Sequence, residues 1–317
     1  MHTTGAQLAC RAGQCHWKIK DLAVRRASPL LGAILSGALD TIRHLNGRRS
    51  RSAARGLAPA VLAALVGVVP VAGRTASETE VDLALVLAVD VSRSMDDDEQ
   101  KLQRDGFVQA FRAPAVHDAI RKGVIGRIAV VYMEWSGPDQ QTVVVPWTVV
   151  DGPERAVAFS DRLARAPIGR IFSTSISGAI DYGVKLLNES GVNPLRRVID
   201  VSGDGPNNTG RMVTLARNEA VAQGVTINGL PFMLKRPTGY GDIENLDHYY
   251  QDCVIGGPGA FIVPVREAHH FADAIRTKLV REIAGAAPPD ALVVPAQDRE
   301  RANCLIGEIQ RRQRFGP

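Results

Sequence analysis

Asp90, Ser92 and Ser94 alternate at the point where an apolar run, VDLALVLAVDV from Val81, gives way to polar residues. A turn there aims all three oxygens into one space. Carboxylate and hydroxyl oxygens are hard ligands, suited to Mg²⁺, Mn²⁺ or Ca²⁺ rather than to zinc. Asp204 stands in the same relation to a second apolar run, RVIDV from Arg197, and Thr174 offers a further hydroxyl from the segment Ile168 to Ser175 between them. Two carboxylates neutralise one divalent ion while hydroxyls add no charge, so a coordination position left to water accepts an anionic oxygen from outside. The same residues also have an ordinary use: Asp90 and Ser92 cap the next helix, and Asp204 makes an Asx turn.

The elements that must position these oxygens follow from periodicity. The run from Val81 is too short and too β-branched for an exposed helix and reads as a buried strand. Asp96 to Arg112 opens with four acidic residues, which suit the positive end of a helix, and then spaces Leu102, Phe107, Val108 and Phe111 helically. Arg127 to Trp135 and Gln141 to Trp147 flank a Ser-Gly-Pro-Asp turn and predict an antiparallel hairpin. Helices are expected over Pro153 to Arg165, Ile176 to Asn188, Arg211 to Gln223 and Ala268 to Ile283. Further strands are expected at Arg197 to Val201, Val225 to Leu230 and Ala260 to Val263.

Such alternation predicts an α/β fold: a doubly wound, mostly parallel six-stranded sheet with one antiparallel edge strand. Ligands bind beyond the carboxyl ends of strands in sheets of this kind, which selects the loops carrying Asp90 and Asp204.

The Asp90-x-Ser92-x-Ser94 segment, Thr174 opening TSISGAI, and Asp204-Gly205 after a later strand resemble the metal-ion-dependent adhesion site of von Willebrand factor A domains. The resemblance runs from Val81 to about Ile283. The stretches RVIDVSGDGPNN and DCVIGGPGAFIVPV are more narrowly similar to an uncharacterised bacterial group of such domains, DUF1194. The resemblance implies a Rossmann-like fold in which Ser92 and Ser94 bind the ion directly and Asp90, Asp204 and Thr174 complete its shell, directly or through water. It also implies an Asp or Glu of a partner protein as the outside ligand, and Mg²⁺ ahead of Mn²⁺ or Ca²⁺. One departure concerns the threonine loop, usually preceded by Gly, where this chain has Arg170-Ile171-Phe172-Ser173, so Ser173 or Ser175 are substitutes for Thr174.

Competing chemistries are poorly supplied. Aspartyl-phosphate phosphatases need a second Asp where Ser92 stands, and no Gly-x-Ser-x-Gly elbow occurs. Gly205 and Gly210 have phosphate-loop spacing, but Arg211-Met212 replaces Lys-Ser/Thr and Pro206 removes an amide. Metal-assisted hydrolysis at the same ion is the alternative from the enzyme class. It needs a general base outside the shell, for which only Glu134 and Asp200 offer themselves. A purely structural ion is the third reading. His269-His270 reads as surface or helix-end packing, because neighbouring helix positions do not face one site, and Asn207 and Asn208 read as ordinary loop polarity ahead of a role in shaping the rim of the site.

With 45% hydrophobic and 22% charged residues the 317-residue chain has ample material for a core. Its +5 charge does not point to nucleic acid. Residues 1–75 hold 11 of the 38 Lys and Arg and 2 of the 33 Asp and Glu, which leaves 27 basic against 31 acidic residues afterwards. Leu57 to Ala72 is uncharged, follows four arginines and ends in small residues, the pattern of an export signal of about residues 46–73. Membrane contact is expected only if that leader is retained. The expected divisions are therefore a leader (1–75), an A-type domain (78–285) and a short, partly basic tail (286–317), with the protein exported to periplasm or exterior and its partner in the envelope. Of the four cysteines only Cys253 and Cys304 follow the leader, and an even pair in an oxidising compartment is expected to form a disulfide.

Overall fold

The computed structural model describes residues 10–11, 14–15, 78–169, 173–235, 242–285 and 300–316. By contacts the chain divides into two units, Met1–Ala72 and Gly73–Pro317. In the first, Cys10–Arg11 and Gln14–Cys15 pair as a short antiparallel ladder. The segment read as an export signal lies outside the described residues. No helix among the described residues is long and apolar enough to cross a membrane.

The second unit begins with β1 (Thr79–Asp90), α1 (Asp97–Arg112) and α2 (Pro114–Arg121). Next come β2 (Ile128–Trp135), β3 (Gln141–Val150), α3 (Pro153–Arg165) and α4 (Ile176–Asn188). They are followed by β4 (Val192–Gly203), α5 (Val213–Ala222), β5 (Val225–Pro231) and the single-turn α6 (Leu246–Tyr249). A π-helical turn (Tyr250–Val254), α7 (Phe271–Ala284) and α8 (Ile306–Phe315) close the chain.

The sheet has five strands in the order β3-β2-β1-β4-β5, with only β3 antiparallel to its neighbour. Every residue of β1 from Val81 to Asp90 is buried, because helices cover both faces of the sheet. Alternation along β1 assigns Leu83, Leu85, Leu87 and Val89 to a core shared with Phe107, Phe111, Phe159, Ile275 and Leu279. Ala84, Val86 and Ala88 face the other core, with Ile176, Ile180, Ala216 and Tyr250. The small alanines there let α4 approach the sheet closely. β1 pairs with β2 on one side and β4 on the other. The strand order therefore reverses between β1 and β4, and this crevice is where a doubly wound sheet binds its ligands.

Two expectations require correction. The sixth strand is absent as a continuous element: Ile262 and Val265 make only isolated parallel bridges to Gly229 and Phe232. Pro264 between them has no N–H to donate, which interrupts the ladder. β4 is far longer than Arg197 to Val201, because its polar first half pairs with the start of β1, Thr79 opposite Val192. The short, partly basic tail also contains α8, which no periodicity in the sequence predicts.

Candidate metal centre

The carboxyl ends of β1 and β4 bring Asp90, Ser92, Ser94 and Asp204 into one hydrogen-bonded cluster. The Ser92 N–H donates to Asp90 Oδ1 (2.7 Å), the Ser92 and Ser94 hydroxyls are 2.8 Å apart, and Ser94 Oγ donates to Asp204 Oδ1 (2.6 Å). Asp90 and Ser92 are buried, Asp204 is half-buried and Ser94 is exposed, so the cluster runs from the floor of the crevice to solvent.

Helix α1 fixes the floor. Gln103 Nε2 donates to the Asp90 carbonyl (3.0 Å), while its Oε1 accepts from Ser202 Oγ (2.8 Å), clamping the ends of β1 and β4 together. The helix starts where it does because Asp96 caps it: its side chain accepts from Glu99 N–H, and Glu99 returns the bond to the Asp96 N–H. Asp96 and Glu99 of the acidic run thus serve the cap and Lys235, which lies 3.1 Å from Asp96 and 2.5 Å from Glu99. Gly203 is required by close approach. A Cβ there would lie 2.7 Å from Asp90 Oδ2 and 3.0 Å from Tyr250 Oη.

Thr174 is buried, and its loop is tied to the loop after Asp204. Its N–H donates to Asn208 Oδ1 (3.1 Å) and its carbonyl accepts from the Asn208 N–H (2.9 Å). Asn207, fully buried, accepts from the Ser177 N–H (3.0 Å) and donates to Glu308 Oε1 of α8 (2.7 Å). Both asparagines are therefore structural clamps rather than loop polarity. Ser175, one of the two substitutes for Thr174, is occupied as the N-cap of α4, its hydroxyl accepting from Gly178. Ser173, the other, has φ +80°, the left-handed conformation that favours glycine. The glycine expected from the resemblance is missing, yet Ser173 adopts its backbone.

Lys235 reaches the Ser94 carbonyl at the rim of the crevice (3.3 Å), while two carboxylates stand below it. Burial, with the adjacent negative Asp204, holds the Asp90 carboxyl well above its ordinary range. Burial raises Asp204 to about 6 against the opposing Ser94 hydrogen bond, and Glu99 adds to the rise. Asp90 Oδ2 and Tyr250 Oη are both buried without a hydrogen-bond partner, and such groups are costly unless something satisfies them. An all-oxygen donor set with two carboxylates and an orphaned carboxylate oxygen fits a hard divalent cation. Tyr250, missed in the sequence, adds a phenol behind Asp90, although nothing in its spacing signals it.

The remaining candidates are committed elsewhere. Glu134 is ion-paired with Arg104 and accepts from the Gly169 N–H (2.9 Å), which anchors the start of the threonine loop. Asp200 pairs with Lys278 at 2.5 Å, inside the core. Neither is placed as a free general base. The rings of His269 and His270, in a 3₁₀ turn, lie 3.9 Å apart and tilted by 48°, and with Glu267 they form an exposed group whose ligating atoms lie within 4.8 Å. The helical argument against a shared site therefore does not hold there, and His269 Nδ1 lies 3.4 Å from Glu267 Oε2. Cys253 and Cys304 form the expected disulfide, with Cα atoms 5.5 Å apart.

Comparison with known proteins agrees with this architecture. A family model described as "Protein of unknown function (DUF1194)" matches residues 80–287. No curated protein sequence matches the chain. The pilus adhesin SpaC from Lactobacillus rhamnosus GG superposes with a TM-score of 0.50 at 12% identity, over 65% of this chain and 31% of that one, a likeness of fold. Proximal thread matrix protein 1 from the mussel byssus, solved with a zinc-occupied MIDAS motif, gives 0.49 at 12% identity over 66% and 50% of the two chains. A von Willebrand factor type A protein from Catenulispora acidiphila gives 0.45 at 14% over 65% and 43%. The chain spans about half the length of the mussel proteins it matches.

Proposed function

The chain belongs to the DUF1194 family, and from that premise we propose that it is an exported binding module that holds a divalent cation, Mg²⁺ first, on Asp90, Ser92, Ser94, Thr174 and Asp204. An Asp or Glu side chain of an envelope protein would complete the shell. The observation that carries this reading is the orphaned Asp90 Oδ2 at the base of a hydroxyl and carboxylate cluster that opens to solvent at Ser94. When bound, the ion supplies a neutralising charge and an exchangeable coordination position. The protein's own residues do the rest: Gln103 and Gly203 fix the position of Asp90, and Asn208 fixes the backbone of Thr174.

A binding reading is favoured over hydrolysis because Glu134 and Asp200, the two carboxylates available as bases, are engaged by Arg104 and Lys278. Calorimetry of the protein with Mg²⁺ and Mn²⁺ tests the proposal. Saturable binding that disappears in the double variant Asp90→Ala, Ser92→Ala is expected. Heat unchanged by that substitution, or no binding to the folded protein, overturns it.

A further inference from the structure

Where α7 packs on β4, three ionisable side chains meet inside the core. Lys278 Nζ lies 2.5 Å from Asp200 Oδ1 and is ion-paired with Glu282, one turn further along α7. The three side chains are at most 1% exposed. Asn228 of β5 donates to Glu282 Oε1 (3.0 Å) and accepts from the Phe261 N–H (3.1 Å), and the Phe261 ring lies 5.4 Å from Lys278 Nζ. Lys278 donates to Glu282 Oε1, whereas neither oxygen of Asp200 nor Glu282 Oε2 has a hydrogen-bond partner.

As an ion triad this is poorly resolved. Two carboxylates share one ammonium, and buried charges are compensated only when each is paired and hydrogen-bonded. Burial, with the negative charge of Asp200, pushes the Glu282 carboxyl up to about 7, so a proton is readily kept at that position. The same arrangement places an amine against a carboxyl group in a dry pocket, with a second carboxyl beside it to carry protons. Condensation there is unimolecular, and the fold has already met its positional cost. The product would be a neutral amide, which removes two charges from the core.

We propose that Lys278 and Asp200 become joined by an intramolecular isopeptide bond, with Glu282 as the proton carrier. The reaction needs no co-reactant. Lys278 gives a proton to the carboxyl groups and becomes a neutral amine, and its Nζ lone pair forms a C–N bond to the Asp200 carboxyl carbon. Glu282 takes a proton from that nitrogen and returns one to the departing oxygen, and the C–O bond breaks with release of one water. Asn228 is a positioning residue that holds Glu282. The bond would link α7 covalently to the strand that ends at the metal centre.

The test is peptide mass spectrometry on the folded full chain after reduction, alkylation and trypsin. The expected product is the Val198–Arg211 peptide joined to Thr277–Arg281, at the summed mass less one water, with Lys278 uncut. Glu282→Gln is expected to leave most chains unlinked at unchanged far-UV circular dichroism, and Asp200→Ala to restore cleavage at Lys278. A folded wild-type protein that yields the linear Val198–Arg211 peptide and is cut after Lys278 overturns the proposal. So does a Lys278 that stays blocked in Asp200→Ala, which would put the link on Glu282.

Discussion

The Ser94 hydroxyl donates to Asp204 Oδ1 across 2.6 Å, joining residues 110 positions apart in sequence. That bond spans the solvent-facing rim of the crevice between β1 and β4, and it makes Asp204 the point at which metal binding is most directly tested. Asp204→Asn preserves shape and a hydrogen-bond acceptor while removing charge. Calorimetric Mn²⁺ affinity is expected to fall by at least about tenfold. An unchanged affinity removes Asp204 from the ligand set.

If Asp204 is a ligand as proposed, cation and proton compete for the same carboxylate. With its folded value raised from 3.8 to about 6, Asp204 in the metal-free protein holds a proton that the unfolded chain has already released. Its contribution to stability therefore declines as pH rises from about 4 to about 6. Metal binding displaces the proton, so affinity is expected to weaken as pH drops below about 6, with buffer-dependent heats that report proton release. A flat affinity profile across this window contradicts the assignment.

Ser173 carries φ +80° beside Thr174. For an L-residue this conformation costs about 1–2 kcal/mol that glycine avoids. Ser173→Gly is expected to gain about 1 kcal/mol in urea denaturation, reduced somewhat by the freer unfolded chain, and to bind metal as before. It also loses the Arg311 contact to Ser173 Oγ (3.3 Å), a surface bond of little weight.

The Cys253–Cys304 disulfide closes a loop with sequence separation 51 and holds α8 against the crevice loops. Gly307 lies so close to Asn207 that a Cβ would be 2.1 Å from its carbonyl oxygen. Loop entropy of that size corresponds to about 4 kcal/mol as an upper figure. Cys304→Ser should lower the denaturation midpoint and expose the α8 segment to protease first. Equal protease resistance of tail and core in the variant would show that α8 docks without its staple.

Arg104 and Glu134 are both about 5% exposed, and Arg104 also donates to the Leu163 and Ala166 carbonyls at 2.9 Å. Arg104→Met strands a buried carboxylate and is expected to cost about 3–5 kcal/mol. Pairing it with Glu134→Gln should recover much of that loss. A double variant no better than the single would place the cost in the lost carbonyl contacts.

Local pattern carried much of the architecture. The helices at Pro153–Arg165 and Ile176–Asn188 have the limits that their periodicity predicts, and β1 ends at Asp90, where polarity returns. Helices α2 and α8 escaped notice, the first too short to show two full periods and the second stabilised by a disulfide and by Asn207. The polar half of β4 read as loop because Asn193, Pro194 and two arginines contradict strand propensity, which pairing with β1 overrides.

The oxygen chemistry of Asp90, Ser92, Ser94 and Asp204 was written in residue type and spacing, because hard ligands at strand ends need only a turn to converge. Which buried groups brace them was decided in three dimensions. Gln103, Asn207, Asn208 and Tyr250 look unremarkable in sequence, since their partners lie on other elements and only packing sets the distances. The same holds for Asp200. Within RVIDV it is one carboxylate in an apolar strand, and only the docking of α7 sets Lys278 and Glu282 against it.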